Sequence, residues 1–119
     1  MKPGSRRRIE KGISGENLAA QLLSEEGHKI LERNFRFRDG EIDIISEKGN
    51  VLYFTEVKYW SKTSPIHPLE IFQLPKMRKM RTVAENYLSR NVSYKDHFVS
   101  FSLAVITEKR ELKYYLNLF

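Results

Sequence analysis

The chain is 119 residues long and 40% hydrophobic, with 21 Lys and Arg against 15 Asp and Glu and a formal net charge of +6. That length holds one hydrophobic core and is too short for two, and the positive balance favours polyanionic partners, nucleic acid first. The absence of cysteine excludes disulfide frameworks, thiolate zinc sites and cysteine nucleophiles and fits a reducing compartment, the cytoplasm by default; no stretch approaches the roughly 18 apolar residues of a membrane span.

Residues 1–11, with Lys2-Pro3-Gly4-Ser5-Arg6-Arg7-Arg8, read as a flexible basic arm ahead of a single domain over 12–119. From Ser14 to Glu26 the spacing is helical. Ser14 is placed as the cap, Leu18, Ala19, Leu22 and Leu23 form an apolar stripe, and Gly27 suits the position just past the C-terminus. A strand follows over Lys29 to Phe37, and Asp39-Gly40 supplies a hairpin turn into a second strand, Glu41 to Ser46. Glu47-Lys48-Gly49-Asn50 turns the chain again into a third strand, Val51 to Lys58.

Ser61 to Pro68 has no periodicity and reads as a loop. Helical signals resume over Pro68 to Phe72, and a longer helix over Pro75 to Ser89 places Met77, Met80, Ala84, Tyr87 and Leu88 on one face. The first turns of that helix carry Lys76, Arg78, Lys79 and Arg81. Phe98 to Ile106 and Leu112 to Leu118 read as two further strands, which completes a mixed α/β domain.

In the third strand Leu52, Phe54, Glu56 and Lys58 project to one side, while Val51, Tyr53, Thr55 and Val57 project to the other. Both faces are apolar until the end, as in a central strand, so Glu56 and Lys58 need a partner or a purpose: a buried unpaired ion costs several kcal/mol, on that order. Glu41 and Asp43 interrupt the isoleucines of the second strand in the same way. Counting back from the turn sets Asp43 level with the Phe54 to Glu56 stretch, where two carboxylates can converge on a cation. Hard oxygen ligands, with no His or Cys among them, favour Mg²⁺ or Mn²⁺ over Zn²⁺. Glu16 precedes Ala20 and Leu23 by four and seven residues and so flanks the stripe that faces the sheet, within reach of the same site.

These residues resemble the YraN-like family of small bacterial proteins, within the restriction-endonuclease-like PD-(D/E)xK nuclease superfamily. The resemblance spans nearly the whole chain. It rests on Gly12 and Gly15-Glu16 ahead of and within the first helix, Gly27, Ile30-Leu31 and Arg33-Asn34, Gly40-Glu41-Ile42-Asp43-Ile44-Ile45, Phe54-Thr55-Glu56-Val57-Lys58, and Lys76 opening the long helix. It implies a restriction-endonuclease-like mixed β-sheet flanked by α-helices, related to archaeal Holliday junction resolvases, and a magnesium-dependent phosphodiesterase site. Carried over by position, Asp43 and Glu56 would bind the metal, Glu16 would add a ligand, and Lys58 would orient the attacking water or stabilise charge on the phosphate. The chain departs from the pattern twice: Trp60 stands where the family usually has Arg, and Ser100-Phe101-Ser102 where it usually reads Arg-Phe-Asp.

The expected activity is therefore a metal-dependent endonuclease hydrolysing phosphodiester bonds in DNA, branched DNA by analogy with the resolvases; cutting two strands symmetrically would imply a homodimer. Other readings remain open: a non-catalytic nucleic-acid-binding protein with a vestigial nuclease site, or an RNA-binding accessory factor. Lys76, Arg78 and Lys79 are candidate phosphate contacts, against a merely solvated helix face. Trp60 is a candidate base-stacking residue, against ordinary packing. Glu41 either supports the metal ligands from behind or bonds the turn at Gly40. His28, His67 and His97 show no ligand spacing.

Overall fold

Alternating β-branched and aromatic side chains draw residues 29 to 59 into three consecutive antiparallel strands: β1 (Lys29–Phe37), β2 (Gly40–Lys48) and β3 (Val51–Tyr59). The computed structural model describes residues 15–60 and 68–119, so the basic arm, the Ser14 cap and the 61–67 part of the predicted loop lie outside the described residues. Ahead of β1, helix α1 spans residues 15–25. It ends in a Schellman motif: the His28 N–H donates to the Leu23 carbonyl at 2.9 Å and the Gly27 N–H to the Ser24 carbonyl at 3.0 Å, with Gly27 at φ 96°.

A short helix α2 (Pro68–Ile71) and the long α3 (Leu74–Arg90) carry the chain back, so that β4 (Phe98–Ile106) runs parallel beside β3. The last strand, β5 (Leu112–Tyr115), pairs antiparallel with β4, giving one mixed five-stranded sheet in the order β1-β2-β3-β4-β5. β3 is the middle strand, as its two apolar faces required. Against one face pack Met80, Val83, Ala84 and Tyr87 of α3, with Leu52, Phe54, Phe101 and Leu103 of the sheet. Against the other pack Ala19, Ala20 and Leu23 of α1, with Ile44, Ala104 and Ile106. This is the mixed sheet flanked by helices that the sequence predicted.

Three local expectations change. The first hairpin turns on Arg38 and Asp39, with Arg38 at φ 56° and Gly40 already paired with Phe37. Gly40 is needed for a different reason: a Cβ there would lie 2.7 Å from Val83 Cγ2 and 3.1 Å from the Lys79 carbonyl, so its bare backbone lets α3 approach β2. The last strand stops at Tyr115 rather than Leu118. Asn117 takes a left-handed φ of 51°, and the chain end folds over so that Leu118 donates to the Phe101 carbonyl at 2.8 Å and Phe119 stacks on the Phe101 ring. Alternation along β2 also fails at one point. Ile42 and Ile44 enter opposite cores, and the register gives no partner pair between Arg33↔Ile44 and Phe35↔Ile42. Asn34, at φ 53°, and Asp43 sit in that gap.

Candidate functional site

The interruption of the sheet at Asp43 creates the site. The regular β2–β3 ladder ends at Ile44↔Thr55. Beyond that pair, the Val57 N–H donates to the Asp43 side chain, at 2.8 Å from Oδ2. The carboxylate is thus wedged between the parting strands, with Glu56 at the matching position on β3. The register bears out the level predicted for Asp43.

Glu56 ends the apolar α3-facing side of β3 and is buried. Two ammonium groups meet on one of its oxygens: Lys76 Nζ at 2.6 Å and Lys58 Nζ at 3.3 Å from Oε1. Lys58 is its neighbour two positions along the strand. Lys76 comes from the first turn of α3, where Pro75 follows Leu74 and which the glycine at position 40 brings close. Asp43, Glu56 and Lys76 line a cleft of about 430 Å³, together with Glu41, Gly40, Asp39 and Lys79.

The cleft is acidic enough to disturb its own chemistry. Burial pushes the Asp43 carboxyl up, and the nearby charges of Glu56, Glu16 and Glu41 add to this, while the Val57 N–H bond opposes it; the result is raised from 3.8 to about 6. Glu16 is held by Arg33, whose Nη2 is 4.0 Å from its Oε2. With the Asn34 amide turned so that its nitrogen faces the carboxylates, that nitrogen donates to Glu16 Oε2 at 3.2 Å and to Glu41 Oε1 at 3.3 Å. Arg36 also pairs with Glu41 at 3.2 Å. Among the described residues no three His, Cys, Asp or Glu side chains stand close enough together to hold a metal ion. Glu16, expected as a third ligand, therefore stands beside the Asp43–Glu56 pair and is occupied by Arg33 and Asn34.

The other expected contacts divide. Lys79 lines the cleft, with its ammonium 3.5 Å from Asp39 Oδ2. Arg78 is exposed on α3, outside the lining. Trp60 continues the ladder by donating to the Ile106 carbonyl at 2.8 Å, and it lines a different depression of about 300 Å³ with Thr107, Glu108, Lys109, Glu111 and Lys113. The Lys113 ammonium lies over its ring at 5.8 Å. Sequence reasoning gave no site role to Arg33, Asn34 or Asp39. Asparagine is depleted from strand interiors, so Asn34 in the middle of a predicted strand was the available signal.

Comparison with known proteins identifies a family. The model of "Uncharacterised protein family UPF0102" matches residues 15–107. A UPF0102 protein of Leptospira interrogans is 47% identical over 115 residues, covering 97% of this chain and 99% of the relative. One from Clostridium novyi is 39% identical over 106 residues (89% and 88%), and one from Caldicellulosiruptor saccharolyticus 35% identical over 114 residues (92% and 97%). The chain belongs to the UPF0102 family, which is the YraN-like family its motifs resemble.

Proposed function

We propose that this UPF0102 protein is a divalent-metal-dependent nuclease that hydrolyses phosphodiester bonds in DNA in the cytoplasm. The observation that carries the reading is the convergence, in one cleft, of the Asp43 and Glu56 carboxylates from parting strands with the Lys76 ammonium, while Lys58, outside the lining, is paired with the same Glu56 oxygen. Structural ion pairs have no need of a cleft or of a partly buried carboxyl destabilised by three like charges. Sites that handle cations and phosphates do.

The donor set fits Mg²⁺ or Mn²⁺. Mg²⁺ is commonly held by one or two carboxylates, with water and substrate phosphate completing the octahedron, so a pair of acids without a third ligand suffices. Repulsion on Asp43 from Glu56, Glu16 and Glu41 is what such an ion would relieve. Asp43 and Glu56 would hold it, and when bound it would supply Lewis-acid activation of water and charge neutralisation at the phosphate.

The chain's own groups account for the rest. The Val57 N–H fixes one oxygen of Asp43, which lines the cleft. Lys58, on the same face of β3 as Glu56, would orient a water for in-line attack and offset the charge gained by the phosphate in the transition state. Lys76 and Lys79, with Arg78 further along the exposed face of α3, would receive flanking phosphates. A branched substrate cut on two strands would call for two copies of the chain.

The test is incubation of the purified protein with duplex, single-stranded, flapped and four-way DNA, and with RNA, in Mg²⁺, Mn²⁺ or EDTA, beside Asp43→Ala. The expected result is metal-dependent cleavage of at least one DNA substrate that disappears in the variant. Binding without cleavage on every substrate would replace the reading with that of a non-catalytic nucleic-acid-binding protein. Cleavage confined to RNA would reassign the substrate.

A further inference from the structure

We infer that Lys76 is a built-in counter-ion that gives way to the divalent cation, and that its release couples metal binding to nucleic-acid binding. The inference rests on the proposed metal site and adds a regulatory role within it.

The charges set the problem. Glu56 is buried, yet one of its oxygens already accepts a hydrogen bond from Lys76 at 2.6 Å and is ion-paired with Lys58 at 3.3 Å. The two lysines neutralise Glu56 itself before any cation arrives, while the cleft as a whole, with Asp39, Glu41 and Asp43 also in its lining, stays acidic. A divalent cation joining the same carboxylate would face two ammonium groups within a few ångströms, and like charges at that range in a partly buried site repel strongly. One ammonium has to withdraw.

The two lysines differ in how easily they can. Lys58 is a β3 residue two positions from Glu56, on a stretch of strand whose register with β4 sets it against Val105. Lys76 reaches the carboxylate from the first turn of α3, 20 residues away in sequence. Its four-carbon stem can swing within the cleft it lines, beside Lys79. An ammonium leaving Glu56 in an acidic cleft gains most from a new anion, and the backbone of a nucleic acid supplies one. Phosphate therefore draws Lys76 off Glu56 and opens the carboxylate to the cation. By linkage, the cation frees Lys76 for phosphate to the same extent.

The experiment measures Mn²⁺ binding to the full chain by the electron paramagnetic resonance signal of free Mn²⁺. It compares the unmodified protein, Lys76→Met and Lys76→Arg, each with and without a hydrolysis-resistant phosphorothioate DNA duplex, and thermal melting in EDTA confirms that each is folded. Without DNA, Lys76→Met should bind Mn²⁺ at least about threefold more tightly than the unmodified chain. DNA should tighten Mn²⁺ binding about tenfold in the unmodified chain, less than half as much in Lys76→Met, and by an intermediate factor in Lys76→Arg. Equal Mn²⁺ affinity and an equal DNA effect in the unmodified chain and Lys76→Met would overturn the coupling while leaving the metal site standing. Failure of the unmodified chain to bind Mn²⁺, or binding that survives in Asp43→Asn, would overturn the site itself and the coupling with it.

Discussion

Two polar clusters are buried on opposite faces of the same central strand, and they differ in kind. On the side facing α1, Thr55 Oγ1 lies 2.8 Å from the Tyr114 hydroxyl, Ser100 Oγ 2.8 Å from Ser102 Oγ, and His28 Nδ1 2.9 Å from Ser46 Oγ. The Asn117 N–H also donates to Ser100 at 3.0 Å. Burial lowers the His28 pKa and raises that of Tyr114 to about 12, so both groups are neutral near pH 7. On the side facing α3, one residue along from Thr55, Glu56 carries its charge into a cleft opposite a carboxyl that burial and three neighbouring acids destabilise. The first cluster satisfies its own hydrogen bonds with neutral groups and closes on itself. The second pairs Glu56 with two lysines but leaves Asp43 beside three like charges, and it stays open. Interior polarity that completes itself stabilises a fold, whereas polarity that depends on an absent partner marks a place for one.

The contrast can be broken most decisively at the open cluster. Asp43→Ala should reduce metal-dependent cleavage to background. Lys58→Ala should lower kcat by about 10² to 10³, the 2.7–4 kcal/mol typical of losing one preorganised group at a developing oxyanion. A Lys58→Ala variant that cuts at the unmodified rate would remove Lys58 from the chemistry.

If the open cluster trades stability for function, neutralising it should strengthen the fold. Asp43→Asn keeps an acceptor for the Val57 N–H and removes the charge. The Asp43 carboxyl is raised from 3.8 to about 6, so the folded state holds its proton more tightly than the unfolded chain does. The penalty is absent below 3.8, grows as pH rises between the two values, and is complete above about 6. At about 1.4 kcal/mol per pH unit it reaches on the order of 2–3 kcal/mol. In EDTA, urea unfolding from pH 4 to 8 should show Asp43→Asn gaining stability over the unmodified chain as pH rises, by up to about that amount. Mg²⁺ should erase the advantage. An advantage that shrinks as pH rises would contradict the electrostatic account of the cleft.

Most of this architecture was legible in the sequence, for a common reason. The two apolar faces of β3 and the buried stripe of α3 are periodic over many residues, and Asp43, Glu56 and Lys58 are visible because a charge inside an apolar strand breaks a strong pattern. What stayed hidden depends on contacts between distant segments. The reach of Lys76 to Glu56 is fixed by how α3 lies on the sheet, and the grip of Arg33 and Asn34 on Glu16 by a left-handed residue that strict alternation cannot represent. Trp60 follows the motif lysine closely in sequence yet lines a separate depression. Gly40 was read as a turn residue, because Asp-Gly is a turn signal in its own right. Its role is steric and belongs to the packing of α3, and Gly40→Ala tests that. A Cβ 2.7 Å from Val83 Cγ2 should cost about 1–3 kcal/mol, as overpacking does. Because α3 carries Lys76 and Lys79, it should also weaken DNA binding. An alanine variant of unchanged stability would return Gly40 to the turn.

The smallest effect belongs to the closed cluster, and it separates the two kinds of polarity most sharply. Tyr114→Phe leaves the ring in place and removes the hydroxyl that bonds Thr55 and Ser102. Deleting one partner of a buried hydrogen bond leaves the other to bear its desolvation, at a cost of about 1–2 kcal/mol. Thr55→Val alone should cost a similar amount. The double variant should lose clearly less than the sum of the two, because removing both partners leaves no stranded group at that contact. None of the three should alter the metal dependence of cleavage or the Mn²⁺ affinity, since the hydroxyls face away from the cleft on β3. If Tyr114→Phe changed Mn²⁺ affinity at unchanged pH, the two faces would be coupled through the strand and the closed cluster would be part of the site.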